Sequence, residues 1–184
     1  MSVHELTELL RDPAATWTER RTRLQGWRGD DASRADAAVA AQRLAPAACA
    51  IGSFAGIALE SPLVLGSFAA TAVIGAFARN HPFEWAYNAW AAPRGRPTLP
   101  TNRAAKRLGC AIGAAFLGGS ALAYATGAAT LGLVLALILG ATATFVAATG
   151  ICVPSMLFTV LWGTERACAR GLLPSRPPAR SAAR

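Results

Sequence analysis

From residue 44 to residue 163 the chain is a series of long apolar runs, and its charged residues cluster between and outside them. The first run, residues 44–78, spans 35 positions and carries charge only at Glu60. As one helix it would reach roughly 52 Å at 1.5 Å per residue, well beyond a hydrocarbon core of about 30 Å. It would also carry Glu60 toward the bilayer centre, at a cost of roughly 2.5–3.5 kcal/mol. A hairpin removes both problems. Glu60-Ser61-Pro62 supplies the break, since Ser61 suits an N-cap and Pro62 suits a first helical turn, where no amide donor is needed. The pattern therefore predicts spans at about 44–59 and 62–78.

The second run, residues 108–149, has 42 positions and must also fold back, because one helix would reach about 63 Å. Gly127 suits a left-handed helix cap there. The predicted spans are about 108–126 and 128–149. Pro154 removes a helix hydrogen bond and clashes with the preceding turn, so a kink is expected, followed by a short interfacial helix over about 154–162. A second interfacial helix is predicted over about 82–91, with Asn80 as its cap and Pro82 in its first turn. Its aromatic anchors would be Phe83, Trp85, Tyr87 and Trp90, and Trp162 would anchor the last helix.

Small residues form one stripe on each span: Gly52 and Gly56; Ser67, Thr71 and Gly75; Gly109, Gly113 and Gly119; Gly132, Ala136 and Gly140. In lipid, helices associate through such close backbone approach. Gly52, Gly56, Gly109 and Gly113 are the predicted helix-packing positions. The expected fold is an all-α membrane protein of four transmembrane helices, arranged as two antiparallel hairpins. A helical arm (1–43) would precede this domain (44–163), and a basic, disordered tail (164–184) would follow it. Within the arm, helical pieces are expected at 3–11, 13–24 and 33–43. The arm does not read as a signal peptide, because its first apolar run comes too late and acidic residues balance its arginines.

Charge orients this arrangement. All 18 Lys and Arg residues lie in the arm, in the 79–107 connection or in the tail, and none lies near Glu60 or Gly127. The positive-inside rule assigns that single basic face to the cytoplasm, with both termini inside. The same placement accounts for the net charge of +8 by anionic lipid headgroups, so a nucleic-acid partner is not expected. The expected partner is the lipid bilayer, together with a membrane-protein partner or a second copy of the chain. Much Ala and Arg beside scarce Lys suggests a bacterial source, which places the protein in a cytoplasmic (inner) membrane.

Four segments point to a family: Asn80-His81-Pro82-Phe83-Glu84-Trp85, Leu99-Pro100-Thr101-Asn102-Arg103, Lys106-Arg107-Leu108-Gly109-Cys110 and Gly150-Ile151-Cys152-Val153-Pro154-Ser155. They resemble a bacterial family of four-helix integral membrane proteins catalogued as a domain of unknown function, over about residues 36–162. The resemblance implies a hairpin, a basic loop, a second hairpin and a cysteine motif ending the last helix. Many members carry a second cysteine three residues after the first; Ser155 stands there in this chain. The resemblance implies the fold and no mechanism.

No catalytic motif is present, and no span contains Asp, Glu, Lys, Arg or His, the residues that mark ion and proton paths. That argues against a proton-coupled pump and a small-solute carrier. The one suggestive cluster is Cys49, Cys110, Cys152 and His81, which helical rise places near one depth at the inner face. It reads either as a thiol or soft-metal site, with Cys152 the leading residue, or as small apolar packing. His81 and Glu84, three residues apart, read either as a grip on a metal or quinone headgroup or as part of a capped interfacial helix. The pattern names no cofactor. Two function classes follow: a structural or accessory subunit of a membrane complex, which the sequence places first, and a membrane thiol or metal-binding protein acting through Cys152.

Overall fold

In the computed structural model, residues 37–162 and Thr16 are described. The expected arm helices at 3–11 and 13–24 and the tail lie outside them. The described residues form helices and connections, without strands: α1 Val39–Gln42, α2 Leu44–Ala58, α3 Pro62–Phe77, α4 Pro82–Ala91, α5 Ala104–Ala125, α6 Ala129–Thr149 and α7 Val153–Trp162, with a 3-10 turn at Ala92–Arg94.

The helices α2 and α3 form one antiparallel hairpin, and α5 and α6 form another. Both turns close in the same way. After α2, the Ser61 amide donates to Gly56 O at 3.0 Å and the Glu60 amide to Ile57 O at 3.1 Å; after α5, the Ala128 amide reaches Ala123 O at 2.8 Å and the Gly127 amide reaches Tyr124 O at 3.2 Å. This is the paired bonding of a Schellman end, which satisfies carbonyls left open by the helix. The residue at the crest has positive φ in both cases, +81° at Gly127 and +45° at Glu60. Ser61 then starts α3 by accepting the Val64 amide at 3.3 Å, with Pro62 at the first position.

Length separates the two hairpins. Helices α5 and α6, with 22 and 21 residues, are long and apolar enough to cross a membrane. Helices α2 and α3 have 15 and 16 residues, or about 23–24 Å of rise, short of a hydrocarbon core. Helix α3 joins α4 at a 70° bend, and that pair counts as a third span only if the bent unit is taken as one. Two to three spans are thus supported by length and composition, against the four expected.

Packing follows the small residues. A Cβ on Gly52 would lie 2.4 Å from the Phe68 ring, and one on Gly56 would lie 2.4 Å from Leu65, so α2 and α3 meet with no room for a methyl. Gly140 of α6 receives Phe54 and Ser53 of α2. At the hairpin turn, Ser120 donates to Gly132 O at 2.7 Å, joining α5 to α6 through a buried hydroxyl. Leu65, Ala69, Leu117 and Ala136 make the shared core. The apolar residues left outermost, such as Leu63, Leu122 and Ile138, form the surface a bilayer would cover.

The chain breaks between α6 and α7 instead of kinking at Pro154. Gly150 ends α6 in the left-handed conformation, φ +72°, and α7 starts anew at Val153. Pro154 therefore falls in a first turn, where it removes no helix bond. Helix α7 folds back onto α5, with Phe158 against Ala104 and Ala105.

Glu60 holds a conformation that costs an L-residue roughly 1–2 kcal/mol. Glu60→Gly is expected to raise stability by up to about 1 kcal/mol after the entropy cost of glycine, read as a higher unfolding temperature in lipid nanodiscs. A drop would show that the Glu60 side chain makes a stabilising contact.

Candidate functional site

The connection between the hairpins is folded tightly onto α4. Asn88 donates to Leu99 O at 2.9 Å and accepts the Leu99 amide at 2.7 Å, so one side chain replaces a backbone partner for the loop. Tyr87 OH donates to Pro97 O at 3.1 Å. The Asn102 amide reaches Arg79 O at 2.6 Å, and its Nδ2 reaches Gly75 O at 3.3 Å. Arg107 donates from Nη1 to Phe77 O at 3.1 Å. These bonds satisfy carbonyls at the end of α3 and set the start of α4 over Gly75.

His81, and not Asn80, is the N-cap of α4. Asn80 instead donates to Pro100 O at 3.1 Å, because the loop runs close enough to take its amide. His81 is buried and stacks on Phe83 at 5.3 Å between ring centroids. Its side chain faces the Glu84 turn, as in a capping box, yet Nδ1 makes no hydrogen bond. Glu84 is fully buried and bound on both oxygens: Oε2 accepts the His81 amide at 3.3 Å, and Oε1 accepts Lys106 Nζ. Glu84 pairs with Lys106 in the first turn of α5 rather than with His81 as a joint metal grip.

Three cysteines meet this arrangement. A Cβ on Gly75 would lie 2.4 Å from His81 Cδ2 and 3.1 Å from Cys110 Sγ, so one glycine is the floor beneath both side chains. Gly109 plays the same part for Cys152, whose Sγ lies 3.4 Å from its Cβ position. Ser155 Oγ lies 3.1 Å from Cys152 Sγ and 3.1 Å from Ala105 O. One hydroxyl proton serves both: donated to the carbonyl, it leaves Oγ to accept the thiol proton, and turned to sulfur it supports a thiolate. Cys49, Cys110 and Cys152 are all free thiols.

A cavity of about 200 Å³ joins these groups. Cys49, Cys110, Cys152 and His81 all line it, and so do Arg43 and Lys106. The structure thus brings all four candidate residues to one space. Gly109 borders it, and Gly113 has nothing within 4 Å of its Cβ position. Gly113 therefore leaves room in the cavity instead of receiving a neighbouring helix. Among the described residues no three His, Cys, Asp or Glu side chains group closely enough to hold a metal ion. Phe83 packs against His81 and Phe68, while Trp85, Trp90 and Trp162 stay exposed. Arg94 and Arg96 each stand 5.0 Å from the Trp90 ring.

The family described as Domain of unknown function (DUF4395) matches residues 39–162. The chain belongs to that family. No curated protein and no solved structure matches the chain. Every residue lining the cavity falls within the DUF4395 region, so the site is part of the family domain and not an addition to it.

Burial is the main influence on His81; it lowers the imidazole from its ordinary 6.5, and the nearby Glu84 carboxylate opposes the shift. The folded state therefore holds His81 neutral where the unfolded chain would protonate it, and stability falls as pH drops below about 6.5. His81→Asn is expected to flatten that part of the stability–pH curve; an unchanged slope would place the titration elsewhere. Glu84→Ala removes the carboxylate that accepts from Lys106 and from the His81 amide and is expected to lower the unfolding temperature, because a buried ion pair is broken by the loss of one member, with Glu84→Gln milder.

Proposed function

We propose that this DUF4395 protein is a multi-pass protein of the bacterial inner membrane whose cavity is a thiol site, with Cys152 as its reactive group. The observation behind this reading is the convergence of Cys49, Cys110, Cys152 and His81 on one cavity. Sequence alone favours an accessory subunit, because cysteine is a good packing residue. Packing cysteines have no need to share an open space, and that reverses the order of the two readings. The absence of a three-ligand group among the described residues favours thiol chemistry over metal binding.

Cys152 is the best nucleophile of the three. It stands outside α6, between the Gly150 cap and the first turn of α7, with the Ser155 hydroxyl beside its sulfur. In a thiol exchange its thiolate attacks one sulfur of an incoming disulfide or persulfide. That S–S bond breaks as the new one forms, and the departing sulfur takes up a proton. Cys110 and Cys49 then stand within the same cavity as second thiols.

The four-span topology belongs to this reading. Helix α3 packs along α5 and α2 along α6, so a bilayer crossed by the longer pair also surrounds the shorter one. The basic residues then face the cytoplasm, with the cavity mouth and both termini on that side.

Native mass spectrometry of the protein released gently from its own membrane tests the proposal. The expected result is a chain carrying a sulfur-bound adduct that is removed by reductant and absent from Cys152→Ser. A co-released second polypeptide without any adduct would return the accessory-subunit reading to first place.

A further inference from the structure

The cavity is graded along the helix axes. Lys106 lies about 3 Å and Cys110 about 9 Å above the start of α5, while Phe116 lies about 18 Å above it. On α6, Val146 is about 4.5 Å and Ile138 about 16 Å from the inner end. Arg43, Lys106 and His81 therefore line one end, the thiols occupy the next level, and the far end is apolar, with Ile112, Phe116, Ile138 and Leu139. The depth reached is past the middle of a core about 30 Å thick.

The wall is open on one side. Ile138 lines the cavity yet is 50% exposed, and Thr142, one turn nearer the inner face, is also both lining and exposed. Helices α5 and α6 are closed together at their outer ends by Ser120 on Gly132 and by Leu135 against Gly119. Toward the other end, the Cβ position of Gly113 has nothing within 4 Å. The resulting gap faces the region a bilayer would fill. His81 is buried where it lines the polar end.

We infer that the cavity takes a lipid-soluble amphiphile from the bilayer through the gap at Ile138 and Thr142, with its polar head at His81 and Lys106 and its apolar body along Phe116 and Ile138. A water-soluble ligand has no use for a cavity that runs so far into the apolar layer. An amphiphile matches the gradient at both ends: its head reaches the polar end lined by His81 and Lys106, and its body covers the apolar wall. The inference rests on the thiol site proposed above, because the ligand's head would lie at the level of the three sulfurs.

The test uses the full chain in phosphatidylcholine–phosphatidylglycerol nanodiscs and two thiol reagents, N-dodecylmaleimide and a sulfonated maleimide, with labelled cysteines located by mass spectrometry. The expected result is labelling of a cavity cysteine at least tenfold faster by the dodecyl reagent. Gly113→Leu, which fills the open space, and Ile138→Trp, which blocks the gap from the lipid side, should each cut that rate at least fivefold. The two variants act from opposite sides of the wall, so misfolding of one does not remove the test. Preference for the dodecyl reagent that neither variant changes would overturn the gap as the route. Equal or faster labelling by the sulfonated reagent would overturn the amphiphile and leave the thiol site standing. Labelling by neither reagent, while the unfolded chain reacts with both, would sink the amphiphile and the thiol site together.

Discussion

The end of this bundle that holds the cavity depends on one buried carboxylate. Glu84 has no access to solvent, and a lone charge there would cost several kcal/mol. It is kept by Lys106 on one oxygen and the His81 amide on the other. Lys106 is the only lysine in a chain with 18 basic residues. A compact ammonium on a flexible stem can reach a buried carboxylate where a planar guanidinium would need more room. Because the pair joins α4 to the first turn of α5, it also sets the bend after α3 and the position of His81. The cavity has its polar end for that reason.

A second constraint is where glycine is filled by a neighbour and where it is not. At Gly52, Gly56, Gly132 and Gly140 the space a methyl would take already holds a side chain, so the helices close on one another there. At Gly75 and Gly109 that space lies against His81, Cys110 and Cys152, and glycine lets reactive groups approach the backbone. Gly113 faces nothing. One residue type thus serves three ends, and the difference between them divides the bundle into a packed part at the hairpin turns and an open part around Gly113. That division leaves the cavity its room.

Much of the fold was legible because its signals are local. Ser61-Pro62 and Gly127 mark the hairpin turns by backbone chemistry that needs no tertiary partner, and the observed helix ends fall close to the expected ones. Span number was less legible: α2 and α3 are apolar throughout but short, and composition does not convert into length. Asn80 was read as the α4 cap from its residue type, while a loop carbonyl 20 positions away took its side chain. The break at Gly150 was read as a kink at Pro154 because proline is the stronger disruptor in isolation; the left-handed glycine had already ended the helix.

The sequence by itself determined that the chain makes apolar helices in two hairpins, with no basic residue at either hairpin turn, and that three cysteines and His81 sit near one depth. Those properties follow from helical rise, turn chemistry and the cost of charge in an apolar layer, which act residue by residue. Only the tertiary structure decided that the four residues share a cavity, that Lys106 answers Glu84 22 positions away, and that Ser155 stands beside Cys152. Depth along a helix axis is set by counting residues. Rotation about that axis, and therefore which side chains meet, is set by how neighbouring helices pack.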